Sequence, residues 1–190
     1  MSAAAVTHVT PEDYLVEERK SEIKREYVDG QVYAMTGATR KHNLITGNLI
    51  AELNRQLEDK PCEVYPGDMR MRVGKRAYLY PDVVVVCGEP EFDDAEMDTL
   101  LNPTMIFEVL SRSTRDYDQG AKFALYRNLP SLQEYVLVAQ DTPHVMGYVR
   151  QAAGWFLSET TNLEDHVRLA SIACDLSLRR LYAKVKLETI

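Results

Sequence analysis

The sequence predicts a single domain over residues 1–190 of the α/β (α+β) class, a mixed β-sheet flanked by helices with a helix and a β-hairpin at its start. Two observations carry that expectation. The hydrophobic patterning runs helix, hairpin, helix, and then mixed strands with one helix between them. Within those strands, Val83-Val84-Val85-Val86 shows no apolar–polar alternation, which marks a central strand covered on both faces. At 190 residues the chain is long enough to bury a substantial core.

Each element has its own signal. Thr10-Pro11-Glu12-Asp13 combines a Thr cap, a Pro at the first helical position and an acid three residues after the cap, and starts a helix to about Arg19. Arg25–Val28, Asp29-Gly30 and Gln31–Met35 read as a hairpin with an Asp-Gly turn. Leu44, Ile45, Ile50, Leu53 and Leu57 put an apolar face on a helix from Lys41 to Leu57. Strands follow at Cys62–Tyr65, Met69–Val73, Tyr78–Cys87 and Thr104–Leu110. In the second of these, Met69, Met71 and Val73 alternate with Arg70 and Arg72, giving an apolar face and a basic one. Ser113-Thr114 caps a helix from about Tyr117 to Asn128, ended by Pro130. Glu134–Ala139, His144–Arg150 and Trp155–Glu159 are further strands, the last two a hairpin around Gly154. Residues 176–186 form a short terminal helix or turn.

Composition narrows the function classes. No apolar run reaches the roughly 20 residues needed to cross a membrane. Met1-Ser2-Ala3-Ala4-Ala5-Val6 lacks the basic and apolar regions of a secretory signal. The three cysteines, Cys62, Cys87 and Cys174, are widely spaced and odd in number, so a reducing cytoplasm and no disulfide framework are expected. A net charge of −7 argues against indiscriminate binding to nucleic acid. Six of the acids fall in Glu89–Asp98, however, while Arg70, Arg72, Lys75 and Arg76 cluster, as do Arg112, Arg115, Lys122 and Arg127. No glycine-rich phosphate loop, zinc-ligand spacing or Ser-His-Asp pattern is present.

The informative residues are two acids inside apolar strands. Asp82 follows Pro81 at the entrance to the valine run, and Glu108 lies mid-strand among Ile106, Phe107, Val109 and Leu110. A buried carboxylate must be paired, protonated or bound to a metal, because a bare buried charge is costly. Asp118, Lys122 and Tyr126 follow at four-residue steps on one helical face. Each has a purely structural alternative: Asp82 as a loop cap, Glu108 paired with Arg70 or Arg72, Lys122 in a solvated ion pair, His42 in capping or packing. Two carboxylates on neighbouring strands match what Mg²⁺ takes, one or two acids plus waters and substrate phosphate.

The ordered set Glu26-Tyr27-Val28-Asp29-Gly30-Gln31-Val32-Tyr33-Ala34-Met35, His42 with Leu49, Pro81-Asp82-Val83, Glu108-Val109-Leu110-Ser111-Arg112-Ser113-Thr114, and Asp118, Lys122 and Tyr126 resembles the Uma2 family (DUF820). The resemblance covers nearly the whole chain. It implies a restriction-endonuclease-like core of the PD-(D/E)XK nuclease superfamily, with Pro81-Asp82 as the "PD" and Glu108 as the second acid. The superfamily's lysine normally stands two residues after that acid, where this chain has Leu110. The Uma2 pattern implies that Lys122 replaces it, and Glu26 is implied as a further acidic site residue.

The expected function is a Mg²⁺-dependent endonuclease acting on DNA, with Mn²⁺ able to substitute. Asp82, Glu108 and the Val109 carbonyl hold the metal, Lys122 positions the attacking water, and Glu26 adds an outer acid or second ligand. Arg70, Arg72, His42 and Tyr126 are the candidate substrate contacts. The alternative is a catalytically inactive nuclease-fold module that binds DNA or a protein partner. A homodimer is expected through apolar sheet edges near Tyr148–Leu157.

Overall fold

The computed structural model describes residues 8–188. The expectation for Met1–Val6 lies outside the described residues.

Helix α1 (Pro11–Glu18) starts as its sequence requires, with the Thr10 hydroxyl accepting the Asp13 N–H at 3.1 Å. Strands β1 (Arg25–Val28) and β2 (Gln31–Ala34) form the expected hairpin. Its two turn residues, Asp29 and Gly30, take φ of 49° and 87°, the paired left-handed conformation that a two-residue turn between twisted strands needs. Helix α2 (Arg40–Leu57) is capped by Thr39, whose hydroxyl accepts the His42 N–H at 3.2 Å. The strands that follow are β3 (Cys62–Pro66), β4 (Arg70–Val73), β5 (Ala77–Leu79), β6 (Val83–Cys87), β7 (Thr99–Leu100) and β8 (Met105–Leu110). A broken helix comes next: α3 (Arg115–Tyr117), a π-helical turn at Asp118–Lys122, and α4 (Phe123–Tyr126). The remainder is β9 (Glu134–Ala139), β10 (Val145–Gln151), β11 (Gly154–Thr160), β12 (His166–Leu169), β13 (Cys174–Ser177) and the short helix α5 (Leu178–Leu181).

Six strands make the central sheet in the order β11-β10-β9-β8-β6-β3, antiparallel except for the parallel pair β8–β9 that the broken helix connects. A five-stranded sheet, β2-β1-β5-β4-β7, lies against it, and β12–β13 form a separate ladder. The valine run obeys its sequence. Val83 and Val85, with Phe107 and Val109, pack beneath Ile45, Leu49 and Leu53 of α2. Val84 and Val86, with Ile106 and Leu110, pack on the other face against Met71, Leu79 and Tyr126. Glu108 shares the face of Ile106 and Leu110, because side chains two residues apart point the same way. A mixed sheet flanked by helices, as expected, is therefore the architecture.

Several expectations change. Tyr78–Cys87 is not one strand: β5 belongs to the five-stranded sheet and β6 to the six-stranded one. Pro81 has no N–H for a ladder, so the chain leaves one sheet at Leu79 and enters the other at Val83, with Asp82 at the corner. The helix after Thr114 is interrupted by the π turn, and Thr114 makes no side-chain cap to it. Instead the Thr114 N–H donates to Ser111 Oγ at 3.1 Å and the Ser111 N–H to Thr114 Oγ1 at 3.3 Å, a local brace at the end of β8. Strands β7, β12 and β13 are too short to show a period in sequence.

The cysteine expectation is also corrected. Cys62 and Cys87 are register partners on β3 and β6 and form a disulfide, while Cys174 is free and buried. A separation of 25 residues gives no hint of cross-strand adjacency. Alkylation in denaturant is expected to label one thiol without reductant and all three with it. Three labelled thiols without reductant would refute the pairing.

The basic face of β4, expected to meet substrate, is ion-paired within the chain. Arg70 is 3% exposed, donating to Asp98 Oδ1 at 2.7 Å, Thr99 Oγ1 at 3.0 Å and Tyr80 OH at 3.1 Å. Arg72 is paired with Asp93. The acidic loop thus folds back onto the arginines, and Arg19 joins it through Asp94 and Asp98. The hydrogen bond from Arg19, with further bonds from Thr99 and Arg70, holds the Asp98 carboxyl well below its ordinary value of 3.8. A lowered folded-state pKa contributes stability above the unfolded value and loses it as pH falls through the folded one. The stability difference between the parent and Asp98→Asn is therefore expected to be constant at neutral pH and to shrink in acid below about pH 4. Thermal melts across pH measure it, and a gap that widens in acid contradicts the account.

Candidate active site

The corner between the two sheets positions Asp82. Strand β6 pairs with β8 only as far as Val83–Phe107, so the next outward-facing N–H of β8, that of Val109, has no strand partner. Asp82 supplies one: its Oδ2 accepts the Val109 N–H at 2.7 Å. The same oxygen lies 3.0 Å from His42 Nε2. His42 sits in the first turn of α2, where the Thr39 cap fixes the helix start. A strand residue's N–H and C=O leave the strand on the same edge, so the Val109 carbonyl also faces this corner.

Glu108 projects inward from β8 and is 3% exposed. Its Oε1 accepts from Lys122 Nζ at 2.9 Å and from the Tyr126 hydroxyl at 3.3 Å. Lys122 also lies 3.1 Å from Glu26 Oε1 and 3.9 Å from Asp118 Oδ1. Glu26 comes from β1, where its neighbour Tyr27 turns to the opposite face and packs with Tyr14 and Tyr78. The Tyr80 N–H, just before the corner, donates to Glu26 Oε1 at 3.1 Å. One ammonium thus ties β1, β8 and the broken helix together across the seam of the two sheets.

The cluster has an inner and an outer layer. Lys122, Glu108, Glu26 and Asp118 side chains are all below 10% exposed, whereas Asp82 and His42 are 20% and 17% exposed. Burial raises the Glu108 carboxyl well above its ordinary value; Lys122 opposes the rise, and Asp82 and Asp118 add to it. Asp118 is raised, again by burial first. Burial pulls Lys122 toward neutrality, but Glu108, Glu26 and Asp118 overcome it and hold the ammonium firmly protonated. Three acids surround Lys122 and Asp82 adds a fourth at the rim, an environment that favours a cation.

The donor chemistry fits a hard divalent cation. Asp82 and Glu108 offer carboxylate oxygens and Val109 a carbonyl, and Mg²⁺ binds through one or two carboxylates while keeping several waters. Among the described residues no group of three or more His, Cys, Asp or Glu side chains is arranged to hold a metal ion.

Of the residues singled out in sequence, the structure brings Glu26, Asp82, Glu108, Val109, Lys122, Tyr126 and His42 to this corner. Arg70 and Arg72 are held by the acidic loop instead. The partner of Glu108 is Lys122, not either arginine. His42 meets Asp82, a contact that its sequence position alone does not disclose. Asp118 belongs to the cluster as well, and its i, i+4 spacing to Lys122 was the signal for it. Tyr80 enters through its backbone N–H, for which sequence carries no signal.

A family profile described as "Uma2: Putative restriction endonuclease" matches residues 11–180. Two uncharacterised proteins of Synechocystis sp. (strain ATCC 27184 / PCC 6803 / Kazusa) are similar. Protein sll1609 is 36% identical over 163 residues, covering 84% of this chain and 91% of its own. Protein slr1290 is 33% identical over 181 residues, covering 95% and 94%. The crystal structure of a "putative nuclease belonging to DUF820" from Anabaena variabilis ATCC 29413 matches with a TM-score of 0.76, over 92% of this chain and 98% of that one. At 18% identity this likeness shows a shared fold.

Proposed function

The chain belongs to the Uma2 family, and from that premise we propose that it is a metal-dependent endonuclease hydrolysing phosphodiester bonds in DNA. The observation that carries the reading is the meeting of Asp82 and Glu108 at one corner, with Lys122 and Glu26 behind them.

In this reading Asp82, Glu108 and the Val109 carbonyl hold Mg²⁺, with Mn²⁺ able to substitute. Bound there, the ion supplies a water of lowered pKa and offsets charge developing on the phosphodiester. The protein's own groups prepare that position. The Val109 N–H and His42 fix Asp82 at the rim, and Lys122 and Tyr126 fix Glu108 beneath it. The protonated Lys122 adds positive potential as negative charge builds on the phosphate, without reorganising. Glu26 holds the ammonium from the opposite side.

The test is cleavage of supercoiled and linear DNA by the purified protein. Nicking with Mg²⁺ or Mn²⁺ and none with chelator is expected. Undiminished cleavage in chelator, or no cleavage with either metal, overturns the proposal. A second reading, an inactive nuclease-fold module, is favoured by Leu110 at the usual lysine position and by the closure of Lys122 onto Glu108. Calorimetric titration with Mn²⁺ separates the two, since an inactive module need not bind metal at these acids.

A further inference from the structure

Beside the acid corner lies a cavity of about 480 Å³ that the proposed chemistry does not use. Thr39, Arg40 and Lys41 line it from the start of α2, Ser111 and Arg112 from the end of β8, and Gln140 from the end of β9. Gln140 is 5% exposed; its Oε1 accepts the Thr39 hydroxyl at 2.6 Å, which leaves its amide N–H groups free to donate toward solvent.

The cations here are met by carboxylates from a later part of the chain. Asp141 lies 2.7 Å from Lys41 and 3.5 Å from Arg112. Glu188 is anchored by its backbone N–H to the Asp141 carbonyl at 2.8 Å. Its carboxylate accepts from Arg112 Nη2 at 2.9 Å and stands 3.8 Å from Lys41 Nζ. Carboxylate and phosphate oxygens make the same contacts to a guanidinium, so Glu188 occupies the position of an anionic ligand. Arg40 has no ion-pair partner among the described residues. Three cations therefore face two carboxylates, and removing Glu188 leaves the cavity clearly positive.

We propose that this cavity is a subsite for the phosphodiester backbone of DNA, and that in the free protein the Glu188 carboxylate beside it occupies two of its cations, Lys41 and Arg112. The inference rests on the nuclease reading for its choice of ligand. Placement supports it. Arg40 and Lys41 immediately precede His42, which touches Asp82, and Ser111 lies three strand residues from Glu108, about 10 Å away. A DNA strand with its reacting phosphate at Asp82 and Glu108 presents a flanking phosphate to Lys41, Arg112 and the Gln140 amide. The incoming phosphate then exchanges for Glu188 on the same donors.

The test is fluorescence anisotropy of a labelled DNA duplex with the full chain in chelator, at several salt concentrations. Glu188→Gln is expected to tighten binding severalfold. Lys41→Gln and Arg112→Gln are expected to weaken it severalfold and to reduce the salt slope by about 1 each. The Arg112 and Glu188 side chains are 79% and 53% exposed, whereas Lys41 is 27% exposed and paired with Asp141, so melting curves accompany every variant and Arg112→Gln carries the test if Lys41→Gln lowers stability. Variants that bind like a parent able to cleave DNA overturn the subsite and leave the nuclease reading standing. Variants that shift binding as expected in a protein that cleaves nothing support the subsite and remove the nuclease reading. A parent that does not bind DNA overturns the subsite.

Discussion

Asp82→Asn is expected to lower metal-dependent DNA cleavage by at least about 10²–10³-fold, the scale seen when a single transition-state contact is lost. The substitution isolates charge from shape. Asparagine keeps the length of the side chain, and its carbonyl oxygen can still accept the Val109 N–H that Asp82 now accepts at 2.7 Å. The same oxygen can keep the 3.0 Å contact to His42 Nε2, because Asp82 uses one oxygen for both partners. The corner should therefore survive, and the melting temperature should stay near the parent's. What disappears is a full negative charge at the rim, the charge a hard cation needs. Retained cleavage at the parental rate would sink the role given to Asp82. Asp82→Ala is a poorer choice, because it also orphans the Val109 N–H at a cost of about 1–3 kcal/mol.

Much of this site was legible in sequence because its acids break the local hydrophobic pattern. Glu108 amid Ile106, Phe107, Val109 and Leu110 required a partner, and the partner is there. The hairpin with its Asp29-Gly30 turn and the capped helices were equally readable, since turn and cap chemistry is local. Failures came where distance in sequence hides nearness in space. Cys62 and Cys87 pair through strand register, and Arg70 and Arg72 meet Asp98 and Asp93 of the acidic stretch Glu89–Asp98. The break at Pro81 was visible as a proline, but a switch between sheets depends on which strands lie beside β5 and β6.

Lys122→Met is expected to destabilise the fold by about 3–5 kcal/mol at pH 8, the penalty for stripping one partner from a buried ion pair. Methionine retains the apolar stem, so lost packing contributes little. The loss is electrostatic: Glu108 and Glu26 lose an ammonium at 2.9 and 3.1 Å and remain buried. The Glu108 carboxyl, raised already by burial, then binds a proton more readily. A raised folded-state pKa favours the fold at low pH, and that advantage fades as pH rises through it. The defect of Lys122→Met should accordingly be smallest near pH 5 and grow toward pH 8. Adding Glu108→Gln, which replaces a charge with a neutral amide, should recover part of the stability. Urea unfolding of the parent, both single variants and the double variant gives the coupling directly. A Lys122→Met protein within about 1 kcal/mol of the parent at pH 8 contradicts the buried network.

The π turn at Asp118–Lys122 gives this protein an unusual sensitivity to chain length. Such a turn holds one residue more than a regular helix would, and these turns are frequent at functional sites. Phe123 and Tyr126 are set into the aromatic core beyond it, with Phe123 stacked on Tyr135 at 5.1 Å. Lys122 is therefore anchored from its C-terminal side, while Asp118 and Tyr117 are placed by the count of residues before it. Removing Gly120 would let the segment relax into a continuous α-helix and swing everything upstream by about 100°. In a surface helix, losing one small residue is often a mild change. Here a deletion scan should find a sharp intolerant point, where the spacing of the chain rather than any one side chain sets the outcome.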